Sequence, residues 1–388
     1  MYPEAIHPFS PSFDGSAIDD LLSRLRQTRY PNAETVEDWS QGVPLSYQQE
    51  LVDYWMTNYD PSRVPTRLNQ YDNFKTEISG LDIHFIHHRS PHSSATPLLI
   101  THGWPGSVLE YLDVIEALTN PTKHGGSVED AFHVVLPALP GFGFSDKPRD
   151  TGVGVPQIAE MWEELMSRLG YQTYHAHGGD WGSIVTQAIL MQQNTRCAAG
   201  HCTLPLVPPD MSTMDKPLPE EIDAVESFQF YTDWDSGYSK QQSTRPQTLG
   251  YGLADSPAGQ MAWIVEKFAY WMDCERNNIR HPENVLSKDL LLDSVMMYWM
   301  TNSGASSARL YWESFNSTNM AAISRPIGLS VFPNEIMRTS ERWARGRFEQ
   351  LTHFNNSFER GGHFAALEVP DTLVNELRTW RSTTRDLS

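Results

Sequence analysis

Cysteine is scarce in this chain, with Cys197, Cys202 and Cys274 the only three among 388 residues. An odd number without metal-ligand spacing excludes a disulfide framework and a zinc ribbon, and makes reduced thiols in a cytoplasmic setting the expectation. Long apolar runs are missing as well. No stretch reaches the ~18 uninterrupted apolar residues that read as a membrane-spanning helix, and Met1 to Ser10 lacks the basic start and apolar run of a signal peptide. Without one, Asn316-Ser317-Thr318 and Asn355-Asn356-Ser357 match the glycosylation pattern by chance. Positive charge is in short supply: 29 Lys and Arg against 48 Asp and Glu give a formal charge of −19. That balance disfavours nucleic acid and anionic membranes as partners and suits an uncharged substrate. Neither a GK[ST] phosphate loop nor an HExxH pair occurs, so no cofactor and no metal are expected.

With 39% hydrophobic residues, the chain can bury a large core. Two short amphipathic helices, one with Leu21, Leu22 and Leu25 on a face and one with Leu51, Tyr54 and Trp55, mark residues 1–80 as a leader wrapped on a larger unit. From Leu81 strand patterns alternate with helical ones. Strands are predicted at Leu81 to His88, Pro97 to Thr101, Phe132 to Leu136, Tyr174 to His177, Gly200 to Leu204, Gly328 to Phe332 and Leu351 to Asn355. This alternation implies an α/β fold with a mainly parallel sheet covered by helices on both faces. Residues 81–205 form the first part of that core and 326–388 the second. Between them, 206–325 read as a helical lid, with Ser256-Pro257 as a cap and first-turn pair. The tryptophans Trp234, Trp263, Trp271, Trp299 and Trp312 suit an apolar pocket, most of them as core.

The most informative stretch is His177-Gly178-Gly179-Asp180-Trp181-Gly182-Ser183. It follows a short strand and opens an apolar helix, with glycines two residues before and two after Asp180, as a strained strand-to-helix nucleophile elbow requires. A carboxylate at that position attacks an electrophilic sp3 carbon and leaves an alkyl ester on itself. Epoxides and alkyl halides are the natural targets. An Asp capping a Gly-rich turn is the plainer alternative.

Turnover of such an ester needs activated water. His363, in Gly361-Gly362-His363-Phe364 beyond the last strand, is the candidate base. Glu335, in Phe332-Pro333-Asn334-Glu335-Ile336, is the candidate acid that orients it, giving the chain order nucleophile, acid, histidine. Glu368 and Asp371 compete for that place but lie after His363. The turn His102-Gly103-Trp104-Pro105-Gly106 follows a strand, so the N–H groups of Trp104 and Trp181 are the expected oxyanion donors. Pro105 is a candidate cis proline. His84, His87 and His88 share a strand in no metal pattern and read as structural.

Taken together, these residues resemble the epoxide hydrolases of the α/β-hydrolase fold, specifically the branch containing microsomal-type and fungal enzymes. The likeness runs from about Ile18 to Pro370. It is carried by the turn His102 to Ser107, by Leu139-Pro140-Gly141-Phe142-Gly143-Phe144-Ser145, by the elbow, by Phe332-Pro333-Asn334-Glu335 and by Gly361-Gly362-His363-Phe364. Leu68-Asn69-Gln70-Tyr71 in the leader is similar too, as are Ser236-Gly237-Tyr238 and Glu266-Lys267-Phe268 in the lid. The resemblance implies two lid tyrosines that bind and protonate an epoxide oxygen. Tyr238 takes the first place and Tyr311 the second, with Tyr231, Tyr251 and Tyr298 as rivals for the second. It further implies an apolar epoxide and water as reactants, an Asp180 ester as intermediate and a vicinal diol as product. Fungal members carry Asp as the acid, whereas Glu335 matches the mammalian microsomal type. The resemblance is compatible with a homodimer, though no sequence signature marks an interface. Two other functions fit parts of this pattern. A haloalkane dehalogenase shares the carboxylate elbow and can use a tryptophan such as Trp181 to hold halide, and a non-enzymatic receptor can share the fold.

Overall fold

The computed structural model describes residues 5–315 and 319–387; Asn316-Ser317-Thr318 and the first four residues of the chain lie outside them. The strands in chain order are β1 (His7–Pro8), β2 (Asn73–Ile78), β3 (Leu81–His88), β4 (Thr96–Thr101), β5 (Phe132–Pro137), β6 (Tyr174–Gly178), β7 (Cys197–Cys202), β8 (Glu275–Arg276), β9 (Ile279–Arg280), β10 (Ile327–Ser330) and β11 (Leu351–Asn355). Nine of them form one sheet in the order β1-β2-β3-β5-β4-β6-β7-β10-β11, and β8 and β9 pair separately. From β5 to β11 every pairing is parallel, while β1, β2 and β3 run antiparallel to their neighbours. The central strands are short apolar runs buried on both faces, as parallel strands under two helical layers must be. Leu98, Leu99 and Ile100 of β4 and Val134, Val135 and Leu136 of β5 are fully enclosed.

Three sequence expectations are corrected. First, the leader does more than wrap, since it supplies β1 and β2. The run Asn73-Phe74-Lys75-Thr76-Glu77-Ile78 carries too few apolar residues to show as a strand by composition. It pairs with β3 through a two-residue turn in which Ser79 and Gly80 both have positive φ (54° and 78°), the geometry of a tight hairpin. Buried Asn73, at the start of β2, ties the strand to the leader segment before it and to β3, donating to the carbonyls of Leu68 and Tyr71 and bonding His84 Nε2. Second, β7 begins at Cys197 rather than Gly200 and β10 ends at Ser330 rather than Phe332. Third, the lid tryptophans divide. Trp271 is buried, but Trp234 and Trp312 are exposed.

Helices occupy most of the span between β7 and β10. Ser256 caps helix Pro257–Trp271 by accepting the N–H of Gly259. The leader ties itself to this helical layer with buried polar bonds. The carboxylate of Asp293, on helix Lys288–Met300, is 1% exposed and accepts from Arg63, Arg67 and the hydroxyl of Tyr59. Tyr54 bonds Asp289, and Gln48 donates to the carbonyl of Ala258. A five-residue π-helical turn, Tyr231–Asp235, leads into helix Gly237–Thr244.

Parallel register sets what meets at one sheet end. Thr101 of β4 lies beside Gly178 of β6, so the turn after β4 and the elbow after β6 emerge side by side. The loops after β10 and β11 leave at the same end and are bridged at Asn334 and Gly362. A Cβ on Gly182 would overlap the carbonyl of Thr101, and one on Gly178 would overlap the carbonyl of Gly182. Gly182→Ala is therefore expected to cost about 3 kcal/mol by overpacking. Gly346→Ala is expected to be neutral or to gain up to about 1 kcal/mol, since nothing lies within 4 Å of its added methyl group in helix Glu341–Arg347. Urea unfolding of the two variants checks the contrast, and equal stabilities would contradict it.

Candidate active site

The elbow places Asp180 in a backbone conformation that few side chains adopt, φ 48° and ψ −128°. Such a residue stores on the order of 1–3 kcal/mol of strain, and the turn is held by its neighbours. The hydroxyl of Ser183 donates to the carbonyl of Gly178 at 2.6 Å and accepts the N–H of Leu204. Helix Trp181–Met191 begins one residue after Asp180, which puts the positive end of its dipole beside this residue, though the Asp180 side chain accepts no cap hydrogen bond from the helix. Across from it, the N–H of Trp104 donates to Asp180 Oδ1 at 2.7 Å. That approach needs Gly103, because a side chain there would overlap the Asp180 carboxylate. The Trp104–Pro105 peptide is cis.

The loop after β11 brings His363 Nε2 to 3.3 Å from Asp180 Oδ2, and the loop after β10 brings Glu335 Oε1 to 2.6 Å from His363 Nδ1. The imidazole is 1% exposed. The backbone N–H of His363 donates to the carbonyl of Trp271, and Glu335 Oε1 also accepts the N–H of Ile336. Burial alone would push the His363 pKa down. The carboxylates of Glu335 and Asp180 outweigh burial and hold it well above the ordinary value. Glu368, the rival acid, instead accepts the N–H groups of Asp273 and Phe364.

Tyr238 and Tyr311 both turn into this site from the lid. Their rings are buried with centroids 5.8 Å apart. Tyr238 stacks on Trp104 at 5.0 Å, and Tyr311 meets Trp181 edge-on at 4.8 Å. The hydroxyl of Tyr311 is buried without a hydrogen-bond partner. Burial, reinforced by the Asp180 charge, raises both phenols well above their usual value, so both keep their protons. The rivals separate cleanly. Tyr251 is 70% exposed, and the hydroxyl of Tyr298 donates to the carbonyl of Gly106. Tyr231 is bonded to the Tyr238 hydroxyl at 3.2 Å and so stands behind it.

A cavity of about 290 Å3 adjoins the triad, lined by Phe230, Tyr231, Trp271, Ile336 and Glu335 among others. Larger clefts of about 350 and 1260 Å3 lie around Arg309, lined by none of the residues above. The sequence reading missed two buried charged groups beside the site. Glu110, behind the His102–Ser107 turn, is raised to about 8, chiefly by burial. Lys267 lies against the ring of Tyr238. Neither sits in a nucleophile or base motif, and only tertiary packing reveals them. His102, in contrast, bonds the N–H of Leu139 and the carbonyl of Gly103 within the turn itself.

The sheet order and a carboxylate on the elbow define a hydrolase of the α/β-hydrolase fold. Residues 6–111 match the family model of the epoxide hydrolase N terminus, and residues 96–245 match that of the alpha/beta hydrolase fold. The sequence is 34% identical over 401 residues to epoxide hydrolase 1 of Sus scrofa, spanning 97% of this chain and 88% of that protein. The juvenile hormone epoxide hydrolase structure from Bombyx mori superposes with a TM-score of 0.90 at 29% identity, covering 99% of this chain and 95% of the other. The Aspergillus niger epoxide hydrolase structure gives 0.88 at 28% identity, covering 98% and 97%. The chain belongs to the epoxide hydrolase family and is an enzyme of that activity. These relatives do not favour the haloalkane dehalogenase reading. Among the described residues no helix is long and apolar enough to cross a membrane.

Because two carboxylates hold the His363 proton, removing either should release it. In Glu335→Gln the His363 pKa is expected to fall, and in Glu335→Gln with Asp180→Asn to fall further, to below the ordinary value as burial becomes the main influence. NMR titration of the imidazole checks both shifts; an unchanged pKa in the double variant would contradict them.

Proposed function

We propose that the enzyme opens a small apolar epoxide through an alkyl ester on Asp180 and then hydrolyses that ester to a vicinal diol. The observation that carries this reading is the unbroken chain Asp180–His363–Glu335, with contacts of 3.3 and 2.6 Å, under two proton-bearing tyrosines. Asp180 Oδ1 is engaged by the Trp104 N–H, so Oδ2 is the attacking atom. It forms a bond to one ring carbon while that carbon's bond to the epoxide oxygen breaks. Tyr238 and Tyr311 hold the departing oxygen, and one of them gives it a proton, which spares the site a free alkoxide.

Ester formation neutralises Asp180 and removes one of the two charges that keep His363 protonated. The imidazole then surrenders its proton, restores the tyrosine and becomes a base. Oriented by Glu335, it takes a proton from water, whose oxygen attacks the ester carbonyl carbon. The resulting oxyanion grows on Oδ1, where the Trp104 N–H already points and the Trp181 N–H of the helix start completes the pair. The acyl carbon–oxygen bond breaks, the departing alkoxide takes from His363 the proton that came from water, and the diol leaves with the substrate carbon's new oxygen. The oxygen from water stays in Asp180, whose acid proton returns to His363. The free, buried thiols Cys197, Cys202 and Cys274 support a reducing compartment such as the cytoplasm.

A single turnover of excess enzyme with styrene oxide in 18O water tests this route. Unlabelled diol and label in the Asp180 peptide are expected; labelled diol would mean direct attack by water and would sink the proposal. In His363→Gln the ester should still form and its hydrolysis should slow by roughly 10²–10⁴-fold, so that mass spectrometry of the protein finds the adduct. The pH profile carries a further sign. Hydrolysis needs neutral His363, so its rate should rise with pH through a pKa lower than that of the resting enzyme, because the ester no longer contributes the Asp180 charge. Rapid-quench measurement of ester decay against pH reads this directly, and a decay rate that falls as pH rises would contradict it.

A further inference from the structure

The phenol of Tyr238 lies between a tryptophan and a buried cation. Lys267, on helix Pro257–Trp271, has a side chain only 6% exposed. Its Nζ is 4.6 Å from the centroid of the Tyr238 ring and 5.4 Å from that of Trp271. With one face of Tyr238 covered by Trp104 in near-parallel stacking, 9° between planes, the ammonium occupies the other. Burying an ammonium is costly unless it is paired, and a methionine would fill similar space without that cost. Lys267 Nζ is paired with Glu266 Oε2 at 2.6 Å and Asp235 Oδ1 at 3.8 Å. Asp235 is fixed in turn through Oδ2, which accepts the indole N–H of Trp271 at 2.7 Å. The same Trp271 ring lies edge-on to Tyr238 at 5.0 Å and to His363 at 5.0 Å. The cation is thus aimed at a phenol ring, by a set of groups that touches both halves of the site.

We propose that Lys267 is a positioning residue that accelerates ring opening by stabilising the negative charge Tyr238 acquires as it gives its proton to the epoxide oxygen. This rests on the ester route proposed above. In the resting enzyme the cation meets a neutral ring, a weak attraction between charge and quadrupole. As the proton leaves, the phenol gains a full negative charge, delocalised into the ring whose centroid is 4.6 Å from the ammonium, and in a buried site that attraction is much stronger. The benefit therefore falls on the transition state rather than on bound substrate, which is what raises a rate constant. Other charges bear on Tyr238 from each packed element. Asp180 opposes its ionisation from the elbow, Tyr231 donates or accepts at its hydroxyl, and Tyr311 faces it from the lid. Glu266 and Asp235 offset part of the ammonium's charge, and protonated His363 lies across Trp271; Lys267 is the cation placed over the ring itself.

The experiment measures ester formation and ester decay separately, by rapid quench and protein mass spectrometry with styrene oxide. Lys267→Met should slow ester formation by about tenfold or more and leave ester decay within about twofold of wild type. Lys267→Arg, which keeps the charge, should recover most of the loss. In the Tyr238→Phe background, where Tyr311 remains as donor, Lys267→Met should add almost nothing, since coupled residues are non-additive. A structural role would not follow this pattern. Equal slowing of both steps, or the same loss with and without the Tyr238 hydroxyl, would overturn the inference. If wild-type enzyme forms no Asp180 adduct at all, the ester route itself fails. If the adduct forms at the wild-type rate in Lys267→Met, only the role of Lys267 fails.

Discussion

The structure turns on one close approach, the contact of the elbow with the end of β4. Gly182 lies against the carbonyl of Thr101 with no room for a side chain, and Gly103 lies equally close to the carboxylate of Asp180. These contacts fix the separation of two neighbouring parallel strands at their ends. They also force Asp180 out of ordinary backbone geometry, so that its carboxylate stands clear of the sheet with one oxygen on the Trp104 amide. Everything else in the site is measured from that point. The loops after β10 and β11 need only reach the same sheet end for Glu335 and His363 to complete the line.

Charge is organised around that line with little help from solvent. His363 sits between two carboxylates, and its proton depends on both. The phenols above are enclosed by Trp104, Trp181 and Trp271. Aromatic rings thus wall the volume in which, on the ester route proposed above, each step shifts charge by one proton or one bond. On that proposed route the order of events is self-enforcing, because His363 becomes a base only after the Asp180 charge has been consumed.

Much of this was legible in the residues because it depends on local rules. Glycines at two fixed offsets around Asp180, a polar loop after each late strand and the apolar runs of β4 and β5 are short-range signals. The polar strand β2 was not legible, since Asn73, Lys75 and Glu77 hide a period-two pattern that only the partner strand β3 resolves. The fates of Trp234 and Trp312 were equally hidden, because burial of a lid residue depends on which helix packs beside it. Lys267 and Glu110 lay beyond reach for the same reason. A charged residue inside a helix reads as solvated until tertiary contacts show it enclosed. Among the five tyrosines weighed, only the family resemblance ranked Tyr238 and Tyr311 first; the bonding of Tyr298 and the exposure of Tyr251 are set by packing that local sequence does not show.

The carboxylate of Asp293, clasped by Arg63, Arg67 and Tyr59, carries a consequence for traffic through the enzyme. Breaking a buried ion pair by withdrawing one partner costs about 3–5 kcal/mol, so a swing of helix Lys288–Met300 away from the leader is a rare event on the time scale of turnover. That face of the helical layer is therefore pinned. The segment from Met211 to the π-helical turn at Tyr231–Asp235 is tied down by a buried carboxylate of its own, Glu221, which accepts from Ser340 and Arg342, yet it exposes Met211, Ile222, Phe230 and Trp234 to water. Apolar molecules arriving from dilute solution meet a greasy threshold there, beside the cavity that borders Glu335.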